Sequence, residues 1–260
     1  MEEQLMDINL FIADTLFKYD REKNVLFQAG NRENQLPLAP IIPQGGFYYL
    51  AYNTATCKLS APGLNVEIPS NDRIRVVLPE AIFCSGDAAC SVFNKYSRDE
   101  HCNFYLANKA VMQRLGGRLP EIEIDYQSYI VDLKFNELRD AYNPSVRLNL
   151  NDFHPIENGR FYQAYFNKET QMLVDPEKER GNLNDIYLLQ IPNETGLDPV
   201  FVAQQKGLKE TSLLHQYPIE EKLTGRLTPL TFFRAKKDTT QRTKKDAKDR
   251  SRSVKRKPRR

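Results

Sequence analysis

One local pattern occurs three times in the chain and constrains its fold more than any other feature. At residues 19–26, 52–59 and 166–173, an aromatic residue is followed by Asp or Asn, by about four polar or small residues, and then by an apolar residue. Asp and Asn initiate turns because their side chains bond the backbone two residues further on. The flanking residues are rich in the aromatic and β-branched types that strands favour. The pattern therefore predicts three β-hairpins, although three loose copies do not establish a repeat architecture.

A helical region and further strands follow from similar local signals. A first helix is predicted to be capped by Asp87 and to carry apolar residues at spacings of three and four over residues 89–96. A second helix is predicted over about 104–115, where two consecutive glycines supply a C-terminal cap. The other strand candidates are 46–51, 65–69, 73–78, 121–125, 129–135, 185–191 and 227–233.

The order of these elements predicts two lobes and a tail. The expected fold class is α+β and β-rich, with antiparallel hairpins and inserted short helices. The first lobe is expected at 1–118, with a helical insert at about 87–115, and the second at 119–233, with a short helical pair at about 199–217. The last segment, 234–260, alternates charged and small polar residues and cannot bury enough apolar surface to offset the entropy of ordering. It is predicted to be a disordered basic tail.

The basic tail is opposite in charge to the acidic body, residues 1–233, that precedes it. The tail contains 14 Lys and Arg and three Asp, a net charge of +11. The whole chain has 37 basic and 34 acidic residues, so subtraction leaves 23 basic and 31 acidic residues in the body, a net charge of −8. Such asymmetry indicates a polyanionic partner, because cationic side chains release counterions from nucleic-acid phosphates.

The lysines and arginines of the tail are therefore predicted to bind DNA or RNA without sequence preference. The tail has no aromatic residue on which bases could stack, so any preference has to come from the acidic body. Two other uses are open: the tail could serve solubility alone, or it could fold back on the acidic body. In a eukaryote, residues 255–260 would resemble a nuclear-import signal. The predicted phosphate contacts are Lys244, Lys245, Lys248, Arg250, Arg252, Lys255, Arg256, Lys257, Arg259 and Arg260.

The predicted helical pair of the second lobe has the best-defined helix boundaries in the chain. Asp198 is a favourable N-cap, Pro199 suits the first helical position, and Gly207 is the expected stop. With a second helix over about 211–217, the pair resembles a helix-turn-helix, and the resemblance implies base contacts in the major groove. A helical pair packed on a sheet is the alternative. The base contacts implied are Lys209, Thr211, Ser212, His215 and Gln216.

An acidic pattern in the second lobe suggests an enzyme. Asp132 and Lys134 form an Asp-x-Lys on a predicted strand, and Asp125 lies seven residues earlier. The arrangement resembles the core of restriction-type nucleases, which implies that the two aspartates hold Mg²⁺ and that Lys134 orients a water. The same alternation is typical of the solvated face of an antiparallel strand. A metal-dependent nuclease is therefore the enzymatic alternative.

No other pattern in the sequence indicates a metal, a cofactor or a membrane segment. The cysteines at 57, 84, 90 and 102 are not spaced like structural zinc ligands and are predicted to be reduced core residues. The short motifs of phosphate-binding loops and of common hydrolases do not occur. No apolar run reaches the eighteen or so residues that span a bilayer. We expect a cytoplasmic chain, or a nuclear one in a eukaryote, with no metal or cofactor.

Several segments resemble uncharacterised accessory proteins of bacterial conjugative, mobile elements. They are residues 129–139 with Asn143-Pro144, the hairpin at 161–173, and 198–219, about a third of the chain. The resemblance implies a cytoplasmic protein associated with DNA transfer or maintenance. Our leading hypothesis is a non-enzymatic, nucleic-acid-associated accessory protein whose acidic body is an interaction module for a protein partner. The alternatives are the nuclease and a protein-interaction module without a nucleic-acid role.

Overall fold

The computed structural model describes residues 8–61, 72–86, 89–176, 183–219 and 222–230. Strands predominate in this part of the chain, the helices are few and short, and almost all strand pairs are antiparallel. The predicted α+β, β-rich class is therefore confirmed. The chain divides into unit 1, residues 1–120 and 194–221, and unit 2, residues 121–193 and 222–260.

Unit 1 contains two antiparallel sheets and four α-helices in its described residues. Its elements are β1 (Asn9–Ile12), β2 (Thr15–Asp20), β3 (Val25–Gln28), β4 (Asn31–Pro37), β5 (Phe47–Asn53), β6 (Lys58–Ser60), β7 (Arg73–Pro79), α1 (Cys90–Asp99), β8 (Phe104–Ala107), α2 (Lys109–Leu115), α3 (Glu194–Leu197) and α4 (Pro199–Gln205). A five-stranded sheet has the order β4-β3-β2-β1-β8, and a three-stranded sheet has the order β6-β5-β7. None of these helices is long and apolar enough to cross a membrane.

Side chains from both sheets form the main core of unit 1. Leu10 and Ile12 of β1 are fully buried in this core, where Phe17 meets Tyr52 of β5 edge to face at a centroid distance of 6.2 Å. Because side chains alternate along a strand, Phe11 points to the opposite face of the sheet. There it joins a second core, made with Tyr105, Ala107, Val111, Val200, Leu214 and Ile219.

The segment 194–221 belongs to unit 1, whereas the sequence prediction placed its helical pair in the second lobe. Its apolar residues cover the second face of β1 and β8, which would otherwise leave Phe11 exposed to water. Two polar contacts add to this packing: Arg114 of α2 pairs with Asp198, and the side-chain amide of Asn108 donates to the carbonyl of Ile219 at 3.1 Å. This long-range packing assigns the segment to unit 1.

The described residues of unit 2 form two further sheets. Its strands are β9 (Glu121–Ile124), β10 (Gln127–Asp132), β11 (Glu137–Asp140), β12 (Arg147–Asn149), β13 (His154–Ile156), β14 (Phe161–Asn167), β15 (Met172–Leu173), β16 (Ile186–Pro192), β17 (Leu223–Thr224) and β18 (Arg226–Pro229). One sheet has the order β12-β11-β10-β9-β17, with β17 parallel to β9. The other has the order β13-β14-β16-β18, with β15 also beside β14. The two sheets are joined by Gly225 between β17 and β18, which packs against Ile124 of one sheet and Leu189 of the other.

All three predicted hairpins are present, and they share one turn geometry. In each, the Asp or Asn side chain accepts hydrogen bonds of 2.9–3.1 Å from backbone N–H groups two or three residues further on. The residue before the second strand has a positive φ, which is 50° at Asn24, 55° at Cys57 and 56° at Gln171. The short polar side chain and the left-handed residue together reverse the chain.

The same turn occurs a fourth time, where the sequence predicted a continuous strand over 129–135. Strand β10 ends at Asp132, whose carboxylate accepts from the backbone N–H of Phe135 at 3.4 Å, and Asn136 has a φ of 56°. The strand was predicted to end at residue 135, and this prediction is therefore wrong by three residues. The other three turns were identified by an aromatic residue before the Asp or Asn. Here the residue before Asp132 is Val131, so the sequence pattern did not indicate a turn.

The predicted helix over 104–115 is a strand followed by a helix. All four residues of β8 are buried, Asn108 follows them, and its side chain caps α2 by accepting from the backbone N–H of Val111 at 2.9 Å. A short apolar run does not distinguish a buried strand from a helix by periodicity alone. The predicted strand at 65–69, the cap at Asp87 and the predicted tail lie outside the described residues.

Candidate functional site

The ten predicted phosphate contacts lie outside the described part of the chain. All of them belong to 234–260, whereas the description ends at Leu230. The last described strand, β18, ends at Pro229 at the edge of a sheet in unit 2. The described residues thus end before the basic tail begins, and the phosphate contacts of the tail stay a prediction.

The three residues of the nuclease interpretation do not come together. Asp125 lies in the turn before β10, with a φ of 50°, and Asp132 ends that strand. A strand rises about 3.3 Å per residue, so the two carboxylates are separated by about 20 Å. Lys134 is exposed in the next turn, with its Nζ 5.9 Å from the ring centre of Phe135. The side chains therefore do not form the shared metal site that the nuclease resemblance implies.

Both aspartates have structural partners instead. The Asp132 carboxylate is buried, and its Oδ2 lies 3.7 Å from Nη2 of Arg139. Asp125 Oδ1 lies 2.7 Å from Nζ of Lys168, and this hydrogen bond raises the pKa of the lysine. Among the described residues, no group of three or more His, Cys, Asp or Glu side chains is arranged to hold a metal ion.

The residues proposed to read bases do not lie on a recognition helix. After α4 the chain passes through Gly207, whose φ is 66°, and then forms consecutive turns over 210–216 instead of a second helix. Lys209 and Thr211 bind the two carboxylate oxygens of Asp14, at 2.5 and 3.0 Å. The helix-turn-helix interpretation is therefore corrected: this segment supplies apolar residues such as Leu214 to the second core of unit 1.

The other proposed base contacts differ in exposure. Ser212 and Gln216 are exposed. His215 is half-buried against Tyr105, with a ring-centroid distance of 5.4 Å, and burial lowers the pKa of the imidazole. Of the five residues, two contact Asp14, one packs against Tyr105 and two are exposed to solvent. They do not lie together on one face of a helix.

Unit 2 contains a cleft that the sequence did not predict, which we call the edge cleft. Strands β13 and β15 both pair with the same edge of β14, through His154 opposite Gln163 and Leu173 opposite Phe166. A cavity of about 620 Å³ lies beside these pairs and is lined by residues of β13, β14, β15 and β16. Ligand clefts usually have volumes of this order, about 300–1,000 Å³.

The described residues that line the edge cleft are partly apolar and partly polar. Tyr165 and Leu188 are directly opposite each other on β14 and β16, so their side chains lie on the same face of the sheet. None of the described residues that line the cleft is Lys or Arg, whereas two are aspartates. The polar lining residues are Asn151, Asp152, His154, Gln163 and Asp175.

Unit 1 contains a hydrogen-bonded group of side chains around a thiol. The hydroxyls of Thr15 and Tyr52 lie 2.6 Å apart, and hydrogen bonds from both to Cys57 lower the pKa of its thiol. Burial, as the largest cause, raises the pKa of Tyr52 to about 12. The four cysteines are all free thiols, and the prediction that they are core residues is wrong for the exposed Cys84.

Comparison of the chain with protein-family models, with curated proteins and with solved structures returns no match. The resemblance to accessory proteins of conjugative elements therefore stays a prediction. Function has to be inferred from the charges and contacts of the chain itself.

Proposed function

We propose that this chain is a non-enzymatic, nucleic-acid-associated accessory protein. Its basic tail contacts phosphates without sequence preference, and its acidic body is an interaction module for a protein partner. The observation that carries the proposal is the reversal of net charge from −8 in residues 1–233 to +11 in residues 234–260. The acidic body repels phosphates, whereas the basic tail attracts them. Nucleic acid therefore binds to the tail and does not wrap around the body.

The contacts of the acidic body support the non-enzymatic part of the proposal. Asp125 and Asp132 are engaged by Lys168 and Arg139, and a strand separates them. A role in DNA transfer or maintenance, and a cytoplasmic location, rest on the resemblance to accessory proteins of mobile elements. Mg²⁺-dependent cleavage of DNA or RNA by the purified chain, lost in Asp132→Ala, would contradict this part.

The test is a salt series of duplex binding with two matched triple variants. The tail variant replaces Lys255, Arg256 and Lys257 by Gln. The control replaces three exposed basic residues of the body by Gln, namely Arg32, Lys58 and Lys95. The slope of log K against log salt is about −0.9 per phosphate contact, so the tail variant should lower its magnitude by roughly 2 to 3.

The control separates tail binding from a general charge effect. We expect the body variant to keep the affinity and the slope of the natural chain. Equal losses in the two variants, or no binding by the natural chain at low salt, would reject the proposal. Equal affinity for duplexes of different base sequence is also expected, because phosphate contacts carry no sequence information.

A further inference from the structure

We infer that one face of unit 1 binds the unpaired bases of single-stranded nucleic acid. This aromatic-basic face consists of Phe47 and Tyr49 of β5 together with Arg73 and Arg75 of β7. The inference rests on the proposed function for the class of partner. It adds a preference for unpaired strands, which a tail without aromatic residues cannot supply.

The alternation of side chains along β5 and β7 defines the aromatic-basic face. Leu50 and Val76 are directly opposite each other on the two strands, and both are fully buried in the main core of unit 1. Successive side chains of a strand point to opposite faces, so Tyr49 and Arg75 point away from that core. Both aromatic residues of the face are half-buried, and both of its arginines are exposed. The face is therefore open to solvent.

The guanidinium of Arg75 is held over the ring of Tyr49. Its Cζ lies 4.9 Å from the ring centre, and the ring attracts the cation electrostatically. Ala51, directly opposite Arg75 on β5, has only a methyl group, so it leaves room for the arginine to reach back to Tyr49. Aromatic rings and planar guanidinium groups are the two kinds of surface on which proteins stack unpaired bases. The pair offers both at one place.

A second aromatic pair extends this surface. Phe47 lies two residues before Tyr49 on the same side of β5, about 7 Å away. Its ring stacks on that of Tyr96 of α1, with a centroid distance of 5.9 Å and an interplanar angle of 24°. Both rings of this pair are half-buried, so part of each remains accessible. Successive bases of one strand therefore have successive aromatic groups to contact.

The charge of the aromatic-basic face suits the phosphates of the same strand. Among the described residues, no carboxylate forms an ion pair with Arg73 or Arg75. Residues 1–120 contain 12 Lys and Arg and 13 Asp and Glu, so the negative charge of the acidic body comes mainly from later residues. Arginine N–H groups donate charge-assisted hydrogen bonds to phosphate oxygens. The two arginines are available for such contacts.

The test compares two fluorescein-labelled strands by fluorescence anisotropy with the full chain. One is an oligothymidine of about 12 nucleotides, a length that single-strand-binding domains cover, and the other is an abasic strand with the same number of phosphates. We expect the strand with bases to bind at least about fivefold tighter, because only this strand can stack. The comparison is repeated with oligouridine and an abasic RNA strand. A preference for bases in either pair supports the inference and shows which sugar is accepted.

Substitutions at Arg75 and Tyr49 separate stacking from charge. Arg75→Lys keeps the charge and loses the planar group, so it should leave binding of the abasic strand in place and lower the preference for bases to less than about twofold. Tyr49→Leu should lower the preference in the same way, whereas Tyr49→Phe keeps a ring and should retain it. The controls are Arg21→Lys and Tyr142→Leu, at exposed positions outside the face, and both should keep the full preference. Thermal melting checks that each variant is folded.

Failure of this inference differs from failure of the proposed function. Bases of a duplex stack on one another, so the duplex salt series measures the tail alone. The triple tail variant should weaken binding of the two single strands by the same factor and leave their ratio unchanged. The inference is overturned by equal affinity for the strands with and without bases, by full preference in both Arg75→Lys and Tyr49→Leu, or by an equal loss in Tyr142→Leu.

Discussion

Arg114 and Asp198, 84 residues apart in the chain, form a buried ion pair with two-point geometry. Nε of Arg114 lies 3.0 Å from both carboxylate oxygens, and Nη2 lies 3.0 Å from Oδ2. Asp198 Oδ1 also accepts the backbone N–H of Phe201 at 3.1 Å, which caps α4. One carboxylate therefore fixes the start of α4 and attaches it to α2.

Replacing Arg114 by Met should destabilise the chain strongly. The Asp198 carboxylate would remain buried without its cation, which lowers the free energy of unfolding by about 3–5 kcal/mol. Urea denaturation followed by circular dichroism measures the change. Arg98→Met is the matched control, because Arg98 pairs on the surface with Asp99 and should contribute less than about 1 kcal/mol. If the two variants lost similar amounts of unfolding free energy, the buried pair would contribute no more to stability than the surface pair, which would contradict this prediction.

Replacing Gly225 by Ala should destabilise unit 2 by overpacking its core. The added Cβ would lie 2.9 Å from Cγ1 of Ile124 and 3.0 Å from Cδ1 of Leu189, both of which belong to fully buried side chains. We expect a loss of about 1–3 kcal/mol in the free energy of unfolding. Gly86→Ala is the control, since no atom lies within 4 Å of its added Cβ. A loss of the same size at both glycines would reject this explanation.

His215 should make the stability of the chain depend on pH. Burial, with a smaller effect of Arg98, lowers the pKa of the folded imidazole below its ordinary value of 6.5. The unfolded chain therefore binds a proton first, so this contribution to stability is complete above pH 6.5 and decreases as the pH falls through the folded pKa. Urea denaturation between pH 5 and 8 should show a smaller decrease for His215→Gln. A pH dependence of the same size in His215→Gln and in the natural chain would contradict this assignment.

Cys57 should react as a thiolate at lower pH than Cys102. Hydrogen bonds from Thr15 and Tyr52 lower the pKa of Cys57 from 9.0, whereas burial raises that of Cys102. Alkylation by iodoacetamide, read at each cysteine by mass spectrometry, should therefore reach half its maximal rate at lower pH for Cys57. Thr15→Val should move the Cys57 profile to higher pH and leave that of Cys102 in place. Identical profiles for the two thiols would contradict the hydrogen-bonded arrangement.

The hairpins were predictable because their signals are local. Asp20, Asn53 and Asn167 bond backbone groups only two or three residues away, so a short stretch of sequence contains the whole turn. The return of 194–221 to unit 1 was not predictable in this way, because it depends on contacts such as that between Arg114 and Asp198 across a long stretch of chain.

Local sequence patterns could not predict the edge cleft either. Its lining comes from β13, β14, β15 and β16, which are brought together only by strand pairing across the sheet. The nuclease interpretation failed for a different reason: β10 separates Asp125 from Asp132, and the local turn that begins at Asp132 was not recognised.

The path of the chain, which passes from unit 1 to unit 2 and then back into each of them once more, has a consequence for biosynthesis. A ribosome that has synthesised residues 1–120 has not yet made the stretch that shields Phe11 and Tyr105 from water. Neither half can mature as an independent nascent intermediate, because the later pieces of both, 194–221 and 222–230, emerge one directly after the other only once residue 193 has been made.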